Sequence, residues 1–251
     1  MNRDLPRGET SDHPRRPFKA RGSAVVRCEG CRLPQLNCLC PYKVKVEARV
    51  RFWLITHALE RHKPTNTGRL IADCLASTEV FGWSRTEPDP LLLERLADPR
   101  FMPFLVFPDD QPDYADRVVA YRAPDDERIP VFVILDGTWR QARRMFRQSP
   151  YLARLPIVAL RTDRLTRYRL RTPASAQHLC TAEVAAELLR VAGELEAAGV
   201  LDDYFDVFNE SYAASRAYRR LERPSAAMRR QLERLEAPRD GLGVSTAPAA
   251  G

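Results

Sequence analysis

An acid, a glycine, a threonine and a tryptophan follow one another at 136–139, at the end of the apolar run Val131 to Leu135. Asp136 puts a carboxylate where a strand gives way to a helix, the end of a parallel sheet at which ligands bind. Arg140, Arg143, Arg144 and Arg147 come next. Their offsets of zero, three, four and seven put them on one helical face. No acid lies in the same stretch to neutralise them, so the stripe suits a phosphate backbone, with a solvated basic face as the plain alternative.

A second chemistry-bearing cluster reads "CEGCRLPQLNCLC", with Cys28 and Cys31 in a knuckle and Cys38 and Cys40 following. Four thiolates supplied by two turns can close a tetrahedral zinc site, and such a closed site staples structure because it keeps no open position for a substrate. An iron–sulfur cluster or a redox pair could use the same ligands. Cys74 and Cys180 lie in or beside apolar helical patterns and read as buried structural thiols.

Between His57 and Leu70 the chain carries His57, Glu60, His62 and then Thr65, Asn66 and Thr67 at a helix start. Unpaired N–H groups and hydroxyls there suit an anion, although an ordinary capped helix has the same composition. The two histidines have no evident third metal ligand. Further on, Arg167, Arg169 and Arg171 alternate. An extended strand would turn all three to one side, and Tyr168 between them suits either a base stack or the core. Thr181 stands as an N-cap, and Glu183 in the first turn suits the helix dipole.

The elements that must position these groups alternate. Strand-like Arg49 to Thr56 precedes helical Asn66 to Ser77, then strand-like Glu79 to Trp83 and helical Pro90 to Ala97. Pro103 to Phe107, Val131 to Leu135 and Ile157 to Leu160 read as further strands, with the arginine helix before the last. Helices are expected over Thr181 to Gly199, Asp202 to Arg223 and Ala226 to Leu235. This is an α/β pattern with a mainly parallel sheet, whose ligands bind beyond the carboxyl ends of the strands.

The chain has 251 residues, 44% of them apolar, with 40 Lys and Arg and a formal net charge of +7. That excess favours a nucleic-acid partner. No apolar stretch approaches the length of a bilayer span, and the first residues have no apolar signal core, so a cytoplasmic protein is expected with no membrane partner. The organisation reads as a disordered basic tail over 1–24, a four-cysteine zinc module over 25–46, an α/β domain over 47–222 and a flexible tail over 223–251.

Taken in order, the cysteine cluster, "PTNTGRL", Phe107-Pro108, "LDGTWRQARRM" and "LCTAEVAAELL" resemble the DTW-domain proteins, from about Arg27 to Tyr212. The resemblance implies a SPOUT-like, knotted α/β fold and a tRNA-uridine aminocarboxypropyltransferase. Such an enzyme moves the 3-amino-3-carboxypropyl group of S-adenosylmethionine to N3 of a uridine, here in the tRNA variable loop, and releases 5′-methylthioadenosine. It also makes the domain over 47–222 the catalytic one and implies Asp136, Thr138 and Trp139 as catalytic residues and Leu135, Gly137, Leu179 and Thr181, with Asn66 and Thr67, around the cofactor. The tRNA phosphates would meet Arg140, Arg143, Arg144, Arg147, Arg167, Arg169 and Arg171. SPOUT proteins are often dimers, but the N-terminal module and C-terminal helices could cover a dimer surface, so a monomer is expected. A SPOUT-type RNA methyltransferase and a non-catalytic zinc-containing RNA-binding protein are the competing readings.

Overall fold

Apolar runs without polar alternation make strands that are buried on both faces. In the computed structural model, described for residues 25–162, 165–168 and 179–237, five strands form one sheet. They are β1 (Arg51–Thr56), β2 (Thr78–Gly82), β3 (Phe101–Val106), β4 (Ile129–Asp136) and β5 (Ile157–Val158), in the order β2-β1-β4-β3-β5 and all parallel. The central β1 and β4 are buried almost throughout, and the edge strand β2 is not.

Alternate residues of the central strands enter two cores. Phe52, Leu54, Phe132 and Ile134 pack with α1 (Gly68–Cys74), α4 (Thr181–Val191) and α5 (Leu195–Arg216). Trp53, Ile55, Val131, Val133 and Leu135 pack on the other face, with residues of α2 (Pro90–Ala97) and α3 (Trp139–Arg147). Cys31, Leu33, Leu39 and Val44 belong to the first core. The cysteine stretch is therefore continuous with the body of the protein in its packing.

Expected boundaries move in the C-terminal helices, and the helix foreseen from Asp202 to Arg223 instead runs from Leu195 to Arg216. The single helix foreseen from Thr181 to Gly199 is broken at Gly193, whose φ is +80°. Gly193 N–H donates to Arg190 O and Glu194 N–H to Leu189 O, which closes α4 in a Schellman turn. Gly199 is then an interior residue of α5 and no stop. Part of the expected C-terminal tail is also packed: α6 (Ala226–Glu236) buries Ala227, Met228 and Gln231. Its Arg230 and Arg234 meet the buried Asp203 of α5 at 2.5 and 2.6 Å. A buried carboxylate needs such partners, and they anchor the helix.

Neighbouring β1 and β4 end side by side, with Thr56 paired to Asp136 in register. The chain leaves β1 for α1, in the first core, and leaves β4 for α3, in the second. This divergence is a topological switch point, the place where open parallel sheets bind ligands. A knot is a property of the whole chain path, and part of the path between β5 and α4 lies outside the described residues.

Candidate active site

At the switch point Asp136 is only 4% exposed. Thr56 Oγ1 and Asn66 Nδ2 donate to its Oδ2 at 3.3 and 2.7 Å, and Thr181 Oγ1 donates to its Oδ1 at 3.0 Å. Three chain segments thus converge on one carboxylate: the end of β1, the loop before α1 and the start of α4. Burial pushes the proton affinity of Asp136 up, against the pull of those donors. Gly68 completes the packing. A Cβ there would lie 2.7 Å from the Asp136 carboxylate carbon, so only glycine lets α1 begin so close.

Thr181 was expected as the N-cap of α4. Cys180 occupies that position instead, Thr181 is the first helical residue, and its hydroxyl is spent on Asp136. Glu183 does serve the helix start, accepting from Cys180 N–H at 2.9 Å. It also accepts from Thr166 Oγ1 and Arg167 N–H, tying the segment before α4 to the helix. Asn66 is oriented by Arg69, whose N–H donates to Asn66 Oδ1 at 3.0 Å.

The structure brings Asn66, Asp136, Gly137 and Thr181 together, with Thr67 buried beside Gly68. Leu135 does not join them through its side chain, which alternation sends into the opposite core. Leu179 lines a separate crevice of about 10 Å³ with Leu165, Arg167 and Glu183, no larger than a water. Cys74 is buried, and burial raises the thiol pKa of both Cys74 and Cys180, as expected of structural thiols.

On the α3 side, Thr138 and Gln141 form a reciprocal capping box, with Thr138 N–H donating to Gln141 Oε1 at 2.7 Å. The spacing Thr138-x-x-Gln141 carries that signal in the sequence. Trp139 stacks on Phe107 at 5.8 Å between ring centroids, and Phe107 on Phe146 at 4.2 Å. The guanidinium of Arg143 lies 5.0 Å over the Trp139 ring. A second stack joins His57 to Trp83 at 5.4 Å and 20°, with Arg144 6.0 Å from the Trp83 ring.

Arg140, Arg144 and Arg147 are exposed along α3. Arg143 differs, because Asp110 from the β3–β4 connection pairs with it at 2.5 Å. The neutralising acid missing from the helix is supplied by another segment. Arg167 likewise leaves the expected phosphate patch: its guanidinium binds Asp202 and Asp206 of α5, each at 2.7 Å. Tyr168 beside it is a core residue, donating its hydroxyl to Thr65 O at 2.7 Å. Arg169 and Arg171 lie outside the described residues.

Arg69 escapes reading from sequence. Its Nε, Nη1 and Nη2 are all buried without a hydrogen-bond partner among the described residues, and the group lies 5.6 Å over the Phe208 ring. Buried charge without a polar partner is costly.

The four cysteine Sγ atoms all lie within 4.8 Å of one another. Cys28 and Cys40 stand 3.6 Å apart, Cys31 and Cys38 3.7 Å. A tetrahedron of sulfurs about 2.3 Å from zinc has edges of about 3.8 Å, so the set already has the dimensions of a zinc site. Backbone N–H groups of the knuckle, first that of Cys31, lower the Cys28 thiol pKa to about 7, whereas burial raises those of Cys38 and Cys40. A Cβ at Gly30 would sit 3.1 Å from Cys40 Sγ, which explains the glycine in the knuckle.

No helix is long and apolar enough to cross a membrane among the described residues. Compared with known proteins, residues 25–213 match the DTW domain. The chain is 28% identical over 172 residues to tRNA-uridine aminocarboxypropyltransferase 2 of Mus musculus, covering 65% of this chain and 55% of that protein. It is 25% identical over 171 residues to the protein of the same name from Macaca fascicularis, with 65% and 55% covered. Against the Drosophila melanogaster protein of that name it is 27% identical over 175 residues, with 66% of each covered. The chain thus spans about half the length of the two mammalian relatives. No solved structure matches. With the matched region holding the cysteine cluster, both helix starts and the Asp136 turn, the chain belongs to the DTW domain family.

Proposed function

We propose that this protein transfers a 3-amino-3-carboxypropyl group from S-adenosylmethionine to N3 of a tRNA uridine. The observation that carries the reading is the convergence of Asn66, Asp136 and Thr181 at the switch point of a DTW-family chain. The names of the curated relatives give the same activity class.

The residues present fit the cofactor. Its amino-acid end carries a carboxylate, and Arg69, next to Gly68 in the chain, has three buried guanidinium nitrogens without a hydrogen-bond partner among the described residues. Arg69 is therefore the group we assign to that carboxylate, with the backbone around Gly137 and Thr181 flanking the rest. When bound, the sulfonium supplies an electrophilic carbon, and choosing the aminocarboxypropyl chain over the methyl group is a matter of aim. Asp136 contributes by holding two helix starts and a strand end in register. Its burial and three donors support positioning over direct acceptance of the N3 proton. Trp139, stacked on Phe107 and beside the Arg143 guanidinium, fixes the start of α3 next to Asp136. Exposed Arg140, Arg144 and Arg147 would meet tRNA phosphates.

The cysteine set would hold zinc as a structural ion. A cytoplasmic site of action is part of this proposal.

Incubation of the protein with S-adenosylmethionine and unmodified tRNA tests the reading. Formation of 5′-methylthioadenosine with an aminocarboxypropyl-uridine is the expected result. S-adenosylhomocysteine instead would identify a methyltransferase, and neither product would leave an RNA-binding protein. Asp136→Asn should keep tRNA binding and lose most of the modification rate.

A further inference from the structure

We propose that His57 is a uridine-recognition residue, a neutral N–H donor that meets a uracil carbonyl oxygen beside N3. This rests on the proposed uridine substrate. His57 directly follows β1, and its own N–H donates to Asp136 O at 3.0 Å, so it stands at the switch point.

Its tautomer is set by neighbours. Leu59 N–H donates to His57 Nδ1 at 3.2 Å, which requires a lone pair there. Gln141 Nε2 lies 3.4 Å from the same atom. The orientation of that amide is decided by Thr138 N–H, which needs the oxygen Oε1 as its acceptor, so the NH2 end must face the histidine. With Nδ1 accepting, the ring proton of neutral His57 belongs on Nε2, at the opposite edge of the ring. No group among the described residues takes up Nε2. Gly137 makes the arrangement possible: a Cβ there would lie 3.0 Å from Gln141 Cβ and 3.7 Å from His57 Cβ.

The surroundings keep the ring neutral. Burial first, then Arg144 of α3, lower its pKa, with Lys63 adding to them and Glu60 opposing. Stacking on Trp83 fixes the ring plane. The capping box of the Asp-x-Thr-Trp turn thus reaches through Gln141 to a second element and presents one oriented donor.

Uracil needs such a donor. As N3–H breaks and its proton passes to water, negative charge spreads to O2 and O4. The N3–C bond then forms while the C–S bond of the sulfonium breaks, its electron pair remaining on sulfur. A fixed N–H at either oxygen stabilises that charge without itself giving up a proton.

The test uses the full chain with tRNA transcripts. His57→Phe keeps a ring over Trp83 and removes the donor. It should lower kcat on the order of 100-fold, with tRNA KM within about twofold and a slightly lower melting temperature, because Leu59 N–H also loses its acceptor. Transcripts carrying 2-thiouridine or 4-thiouridine, weaker acceptors, should slow the wild type at one position and leave His57→Phe indifferent. His57→Gln, which restores an N–H donor, should recover part of kcat relative to His57→Ala even if the Phe variant folds poorly. Nitrogen-15 NMR of the imidazole should find the Nε2–H form at neutral pH. Wild-type turnover by His57→Phe, equal thio effects in both proteins, a Gln variant no better than Ala, or an Nδ1–H tautomer each overturns the inference. Absence of product from the wild type overturns the uridine reading itself, and the tautomer measurement then still stands on its own.

Discussion

Thr181 donates its hydroxyl to Asp136 across 45 positions of sequence, joining the start of α4 to the end of β4 at 3.0 Å. The bond serves a carboxylate that has no solvent to fall back on. It therefore makes the geometry of the switch point depend on a contact that neither helix nor strand supplies alone.

Replacing Thr181 by Val should cost about 1–3 kcal/mol, because the buried Asp136 oxygen loses its donor with no water to replace it. Asp136→Asn should cost less than Asp136→Ala, since Thr181 can rotate to accept where it donated. Gly68→Ala should cost about 1–3 kcal/mol by pressing a methyl against the same carboxylate. Urea denaturation of the variants checks the order.

Metal analysis should find about one zinc per chain, as a closed four-thiolate site requires. Chelation should lower the melting temperature of the whole fold rather than fray the N-terminal stretch. The reason is that Cys31, Leu33 and Leu39 share a core with β1 and α5. Calorimetry with and without chelator reads the difference, and Cys31→Ser should reproduce the metal-free curve.

Arginines on α3 should divide in two. Arg140→Glu, Arg144→Glu and Arg147→Glu should each weaken tRNA binding and lower the salt slope, by about 0.7–0.9 for every phosphate left without its cation. Arg143→Ala should leave the slope nearly unchanged while destabilising the Trp139 stack, because its guanidinium already pairs with Asp110. Binding titrations across salt concentrations check both.

Stability should respond to acid through His57. Its native pKa lies below the ordinary value of about 6.5, so the unfolded chain takes up a proton first. The corresponding stability is present above that value and is lost as pH falls through it toward the native pKa. Asp136 has the opposite sign, with a native pKa above the ordinary carboxyl value, so its ionisation costs stability as pH rises through that lower window. His57→Phe should gain on the wild type as pH falls from about 7 to about 5.5, measured by denaturation at each pH.

Much of the fold is legible in the sequence because parallel strands buried on both faces must be apolar runs, and helices between them must be amphipathic. Pro90–Ala97 forms the expected helix, and each expected strand appears within a few residues of its reading. The cysteine spacing alone foretold a four-thiolate cluster, since ligands of a knuckle are close in sequence. Asp136 at a strand end was likewise visible, because alternation and a following helix locate it.

What tertiary structure decided were the partners, which lie far apart in the chain. Asp110 neutralises Arg143, Asp202 and Asp206 claim Arg167, and Thr181 caps a carboxylate instead of its own helix. None of these follows from local spacing, because a charge or hydroxyl has several low-energy partners until packing brings one within about 3 Å. The same holds for His57: its type is written in the sequence, while its tautomer is set by an amide on another element that a threonine holds in place.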